Sequence, residues 1–115
     1  MLGTNDSKAF NWDEAEYESD YCDMIAEFQK MESKPIIWLM KPPPLYKDGT
    51  CEEMKQEVIN ELYPKKIPEI AARCSIPPER VINLFEALGG ADLTNPNYLL
   101  DDHCHPNAFG YYHVT

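Results

Sequence analysis

The feature that most constrains the fold is a short apolar run that prolines enclose on both sides. Ile36-Ile37-Trp38-Leu39-Met40 follows Pro35 and, after Lys41, precedes Pro42-Pro43-Pro44. A continuous apolar run of this length is typical of a strand buried on both faces, as in the interior of a parallel sheet. The sequence therefore predicts a central strand over residues 36–40, with Trp38 in the core.

Helical patterns lie on both sides of this strand. Asp13 is an N-cap residue type with Glu16 three positions later, and the apolar residues that follow recur at intervals of three and four. This pattern predicts a helix over residues 13–32. After the strand, Thr50 and Glu53 have the spacing of a capping box and predict the start of a second helix, which two prolines further along are expected to break or bend.

The rest of the chain completes a simple order of elements. A second short strand is expected over residues 81–85, then a loop over residues 91–107 and the first turns of a helix over residues 108–115. The order strand, helix, strand with short connections indicates a parallel sheet covered by helices, which is an α/β fold. With 115 residues, the chain has room for one domain and not for two.

Charge, hydropathy and cysteine spacing limit the partners, the membrane contacts and the thiol chemistry that we expect. The net charge of -10 repels phosphate backbones and anionic lipids, so we expect no nucleic-acid partner. No apolar run is long enough to span a bilayer, and the sequence as given contains no signal peptide, so the compartment is not predicted. The four cysteines occur singly, without a Cys-x-x-Cys pair, which favours free thiols first and a disulfide second.

Two polar clusters near opposite ends of the chain have the residue types of acyl-transfer chemistry. One is Gly3-Thr4-Asn5-Asp6-Ser7 and the other covers residues 101–107. An acid three residues before a histidine, as Asp102 stands before His105, can reach Nδ1 of the ring when the chain makes a tight turn. A side-chain amide such as that of Asn5, presented by a glycine-containing turn, can donate a hydrogen bond to a developing oxyanion.

Together and in this order, the clusters resemble two blocks of the SGNH hydrolases, the GDSL-type lipases and esterases. Gly3-Thr4-Asn5-Asp6 matches the family's Gly-x-Asn-Asp block, and Asp102-His103-Cys104-His105-Pro106-Asn107 matches its Asp-x-x-His-Pro-Asn block. The segment around Trp38 and the prolines after it also resembles the family's strand-and-proline segment.

The resemblance implies a flavodoxin-like, three-layer α/β/α sandwich with a parallel sheet. It also implies hydrolysis of small-molecule carboxylic esters through a Ser-His-Asp triad, for which we expect no cofactor. By carry-over, His105 is the general base, Asp102 its orienting acid, Asn5 the oxyanion donor and Gly3 part of a supporting turn.

The chain departs from the family's pattern at its beginning. In the family, a Gly-Asp-Ser block with the nucleophile and a block with an oxyanion-hole glycine both precede Gly-x-Asn-Asp, whereas this sequence starts with the latter. We therefore expect residues 1–115 to be a partial domain, the C-terminal half to two-thirds of an ester hydrolase, with no nucleophilic serine of its own and inactive alone. An uncovered sheet edge is also expected to make the chain poorly soluble and self-associating.

Other interpretations of the second cluster stay open. His103 stands where the family usually has glycine, so we expect it to strain the turn or to offer a competing imidazole. The chain could instead be a non-catalytic relic or an interaction module that keeps half of the fold. It could also capture zinc or copper, because many metal-ligand types are close in sequence: Asp101, Asp102, His103, Cys104, His105 and His113.

Overall fold

The first helix begins where the sequence predicts. In the computed structural model, which describes residues 2–90, 92 and 98–113, helix α1 spans Glu14–Lys30. Oδ1 of Asp13 accepts a hydrogen bond from the backbone N–H of Glu16 at 3.0 Å, which satisfies one free donor of the first turn. The buried residues of α1, Tyr17, Tyr21 and Ile25, are spaced by four and form one face. The predicted helix is confirmed, and its last turn ends two residues early.

The described residues form a two-stranded parallel sheet. Strand β1 (Leu39–Lys41) pairs with strand β2 (Val81–Asn83), with Met40 opposite Ile82 at the middle of the register. Helix α3 (Tyr63–Arg73) lies between them in sequence and packs against both strands, while α1 packs against α3. The predicted order strand, helix, strand and the α/β class are therefore confirmed.

The prediction of a strand over residues 36–40 that is buried on both faces is wrong. The strand begins only at Leu39, Ile36 is 69% exposed, and Trp38, expected in the core, is 51% exposed. Ile37 and Leu39, which alternate with them, pack into the core instead. An apolar run is buried on both faces only when elements cover both of them, and the covering helices described here leave Ile36 and Trp38 in solvent.

The predicted capping box at Thr50 is also wrong. The short helical turn α2 (Thr50–Glu53) has Gly49 at its N-cap, and the Thr50 hydroxyl donates to the carbonyl of Lys47 at 2.9 Å instead of capping the turn. The backbone of Cys51 is left-handed, with φ 50° and ψ 53°. The right-handed helix begins only after this turn. The prediction failed because the spacing of a capping box does not by itself specify the hand of the backbone.

That later helix accommodates both of its prolines. A π-helical segment, Val58–Leu62, leads directly into α3. Pro64 is the second residue of α3, just after the π-helical segment, and Pro68 lies inside the helix. The helix therefore continues past both prolines, which were expected to break or bend it.

The C-terminal elements are short. Strand β2 ends at Asn83, whose Oδ1 caps helix α4 (Leu84–Ala87), so the predicted strand over residues 81–85 is shorter than expected. Helix α5 spans Ala108–His113, as predicted, while residues 114 and 115 and much of the predicted loop, residues 91 and 93–97, lie outside the described residues. Among the described residues, no helix has both the length and the apolar character that crossing a membrane requires.

Aromatic rings join the N-terminal segment to the core. The rings of Tyr17 and Tyr63 stack with centroids 5.0 Å apart, and Trp12 meets Tyr63 edge-on at 5.5 Å. Tyr63 is fully buried, and its hydroxyl donates a hydrogen bond to the carbonyl of Gly3. The segment before α1 is therefore attached to α3 through a side chain rather than through a sheet.

Two isoleucines test which residues the helices cover, because one is buried and the other is exposed. Ile67 on α3 is fully buried, whereas Ile36 is mostly exposed. We expect Ile67→Ala to lower the free energy of unfolding by about 3 kcal/mol, through lost burial and a cavity. Ile36→Ala is expected to change it by less than about 0.5 kcal/mol. Urea unfolding followed by circular dichroism measures both values.

Ile67→Val, with an expected loss of about 1 kcal/mol, keeps the comparison measurable if the alanine variant does not fold. Equal losses of unfolding free energy at positions 36 and 67 would show that Ile36 is buried like Ile67, as the predicted strand with two buried faces requires.

Candidate active site

A tight turn holds the first cluster. Gly3 has φ 110°, and a Cβ at this position would lie 2.7 Å from the Tyr17 hydroxyl, so only glycine fits here without displacing the ring. The Gly3 carbonyl accepts hydrogen bonds from the Tyr63 hydroxyl and, at 3.1 Å, from the backbone N–H of Ser7. The turn leaves Asn5 exposed, and the Asn5 side-chain amide makes no hydrogen bond to the described residues. This amide is available to donate to a ligand.

Ser7 belongs to the framework of this turn. Its side chain is fully buried, and its Oγ donates to the carbonyl of Thr4 at 2.7 Å. Its own carbonyl accepts from the backbone N–H of Lys55 at 3.0 Å, which ties the turn to the segment after α2. A serine in this position has neither the exposure nor the free proton of a nucleophile.

The second cluster forms the tight turn that its spacing indicates. Oδ1 of Asp102 accepts from the backbone N–H groups of His105, at 2.9 Å, and of Cys104, at 3.0 Å. Oδ2 lies 2.7 Å from Nδ1 of His105. These bonds, the backbone ones first, hold the pKa of the Asp102 carboxyl at about 2. An ionised carboxylate at this distance requires a proton on Nδ1, which leaves Nε2 of His105 as an acceptor.

His103 adopts a backbone conformation that favours glycine. Its φ is 59°, in the left-handed region, within the turn that Asp102 closes. This is the position at which the SGNH hydrolases usually have glycine. The observed φ agrees with the expectation that His103 strains the turn. The acid contacts His105 and not His103.

The two clusters meet at one cavity. Its volume is about 310 Å³, and both Asn5 and His105 line it. The other walls are mostly apolar, from the proline segment, α4 and α5: Pro43, Pro44, Leu45, Leu84 and Tyr111. A mostly apolar cavity with a few convergent polar groups has the character of a small-molecule site.

The described part of the chain does not bring a serine to this cavity. Ser7 is buried in its turn, and Ser19, Ser33 and Ser75 are exposed elsewhere and are not among the lining residues. His105 is therefore in contact with its acid but with no hydroxyl nucleophile from the described residues.

Sequence reasoning missed Cys51, which lies against the second cluster. Its Sγ is 4.0 Å from Nδ1 of His105, and the ligand atoms of Cys51, Cys104 and His105 all lie within 4.8 Å of one another. Burial, followed by the contact with Cys51, raises the pKa of the Cys104 thiol to about 12. Among the described residues, Asp101, Asp102 and His103, which were also considered as metal ligands, are not part of this group. No local pattern links position 51 to position 105.

The family model described as GDSL-like Lipase/Acylhydrolase family matches residues 1–112. The chain belongs to this family. Neither a curated protein nor a solved structure matches the chain. Membership in the GDSL-like acylhydrolases confirms the resemblance drawn from the two clusters and shows a relationship to ester hydrolases.

Replacing His103 by glycine tests the strain in the turn. Because an L-residue in the left-handed region costs roughly 1 kcal/mol, His103→Gly is expected to raise the free energy of unfolding by about that amount. His103→Ala removes the same imidazole but keeps a Cβ, so it should give no such gain. Thermal and urea unfolding measure both variants, and equal effects of the two would mean that the backbone here is unstrained.

Because the folded state lowers the pKa of Asp102, the free energy of unfolding should depend on pH in a defined direction. Its folded pKa of about 2 lies below the ordinary value of about 3.9 in an unfolded chain. Its stabilisation is therefore fully present above about pH 4 and is lost as the pH falls towards 2. In metal-free buffer, we expect the difference in unfolding free energy between the natural chain and Asp102→Asn to be larger at pH 6 than at pH 3. An unchanged difference, or a carboxyl signal that titrates near pH 4 by NMR, would contradict this.

Proposed function

We propose that this chain supplies the general base, its orienting acid and an oxyanion donor for the hydrolysis of small-molecule carboxylic esters. The observation that carries the proposal is the 2.7 Å contact between Asp102 and Nδ1 of His105, at a cavity that Asn5 also lines. Membership in the GDSL-like acylhydrolases supports the reaction class.

Each residue has a separate role in this proposal. Nε2 of His105 takes the proton of the attacking hydroxyl, and the ionised Asp102 stabilises the imidazolium that forms. The Asn5 amide donates to the oxyanion of the tetrahedral intermediate. Gly3 acts only by keeping the turn of Asn5 in place, because any larger residue would displace the Tyr17 ring.

The same proposal includes the fold and the extent of the domain. We take residues 1–115 as a partial domain of a flavodoxin-like, three-layer α/β/α sandwich, which the parallel pairing of β1 and β2 and the covering helix α3 support. The exposed Ile36 and Trp38 beside β1 favour self-association of the chain at high concentration, despite its net charge of -10.

The proposal assigns the nucleophile to no serine of this chain. The Ser7 hydroxyl donates a hydrogen bond to the carbonyl of Thr4. The exposed Ser19, Ser33 and Ser75 lie away from the cavity. The chain alone therefore forms no acyl-enzyme through a serine. What remains is slow attack by a water molecule that Nε2 of His105 activates, assisted by Asn5.

A fluorophosphonate probe and an activated ester test this function together. We expect the purified chain to remain unlabelled by the probe, because the probe reacts with activated serines. We also expect slow hydrolysis of p-nitrophenyl acetate above the buffer rate. His105→Ala should lower that excess about a hundredfold, the low end of the contribution of a positioned general base.

His103→Ala is the matched control because it removes an imidazole two residues away in the same turn, and it should retain the hydrolysis. Labelling of a serine by the probe would show that the nucleophile lies in this chain. Hydrolysis that is absent, or equal in the two histidine variants, would favour a non-catalytic relic or an interaction module.

A further inference from the structure

Two thiols and one imidazole from different segments converge at the edge of the cavity. Cys51 belongs to α2, and Cys104 and His105 belong to the turn that Asp102 closes. Their ligand atoms lie within 4.8 Å of one another, and Sγ of Cys51 is 4.0 Å from Nδ1 of His105. We propose that Cys51, Cys104 and His105 form a binding site for Zn²⁺.

The distances fit this ion after small side-chain movements. Zinc binds thiolate sulfur at about 2.3 Å and imidazole nitrogen at about 2.0 Å, so tetrahedral geometry places neighbouring ligand atoms roughly 3.5–3.8 Å apart. The observed separations exceed these values by no more than about 1.3 Å, a movement that rotation of half-buried cysteine side chains supplies. Two sulfurs and one imidazole are also the ligand chemistry that zinc prefers over magnesium or calcium.

The backbone around Cys51 is held in an unusual conformation that points its thiol to this place. Cys51 and the two residues after it all have positive φ, at a cost of roughly 1–2 kcal/mol each. The turn is closed by the bond from the Met54 N–H to the Thr50 carbonyl, at 3.1 Å, and by the ion pair between Lys8 and Glu52. A conformation of this cost persists because surrounding contacts enforce it, and such conformations concentrate at functional sites.

Zinc at this site would use atoms that the proposed esterase chemistry also needs. The nitrogen 4.0 Å from Sγ of Cys51 is Nδ1 of His105, which Asp102 already contacts at 2.7 Å. Asp102 is not part of the three-residue group, so the fourth zinc ligand would be a water molecule. Binding would release the protons of both thiols to solvent and transfer the ring proton to Nε2. The resulting loss of the base rests on the proposed function, whereas metal binding itself does not.

Cobalt is the spectroscopic probe for this site, followed by its displacement with zinc. With the purified chain reduced and free of metal, we expect one Co²⁺ per chain, with sulfur-to-cobalt charge-transfer absorption and the visible bands of a tetrahedral thiolate site. Added Zn²⁺ should remove both signals. Cys51→Ser and Cys104→Ser should each weaken binding at least about tenfold and reduce the charge-transfer intensity.

The chain contains its own matched control for the thiols. Sγ of Cys22 and Sγ of Cys74 lie 2.8 Å apart at a second place without a histidine in the group, so Cys22→Ser should bind metal like the natural chain. His105→Ala, at a mostly exposed side chain, removes the nitrogen ligand without affecting the core and should also weaken binding. Circular dichroism confirms that each variant is folded.

The outcomes separate the two proposals. Metal binding that survives Cys51→Ser and Cys104→Ser but is lost in Cys22→Ser would overturn the site, as would the absence of thiolate-to-cobalt absorption in a folded, reduced chain. Zinc binding in a chain without His105-dependent ester hydrolysis would count against the esterase proposal and leave the metal site standing. Zinc that binds through the three named residues without slowing that hydrolysis would overturn the competition with Asp102.

Discussion

The hydrogen bond from the Tyr63 hydroxyl to the Gly3 carbonyl is the contact on which the candidate site depends. Tyr63 is fully buried, and desolvation raises the pKa of its hydroxyl, so the group stays protonated and can donate. The first residues of the chain do not join the two-stranded sheet, so this bond positions their turn together with the ring stacking on Tyr17 and the backbone bond from Lys55 to Ser7.

Features that local sequence determines were predictable. The N-cap at Asp13 and the four-residue spacing of Tyr17, Tyr21 and Ile25 specify α1 from local sequence alone. The contact between Asp102 and His105 is equally local, because a three-residue separation closed by backbone N–H donors needs no distant element. These are the parts of the fold and of the site in which sequence and structure agree.

The parallel pairing of β1 and β2 was predicted from the order of the elements, whereas burial and backbone conformation that depend on distant partners were not predictable. Whether Ile36 and Trp38 are buried is decided by what covers the second face of the chain, and their own residue types carry no information about that. The left-handed backbone at Cys51 occurs beside an ion pair and a closing hydrogen bond, although its neighbours at positions 50 and 53 have the spacing of a right-handed start. The approach of Cys51 to His105 follows from this turn, and neither the sequence around Cys51 nor the sequence around His105 predicts it.

One nitrogen atom connects the two chemistries of this site. As a hydrogen-bond donor to Asp102, Nδ1 of His105 leaves Nε2 to act as a base, and as a metal ligand it does not. The left-handed backbones at Cys51 and His103 bring two thiols and an ionised carboxylate around that atom from different segments. Because a proton and a zinc ion cannot occupy the same lone pair, the two proposals together make the concentration of free metal decide which chemistry His105 performs.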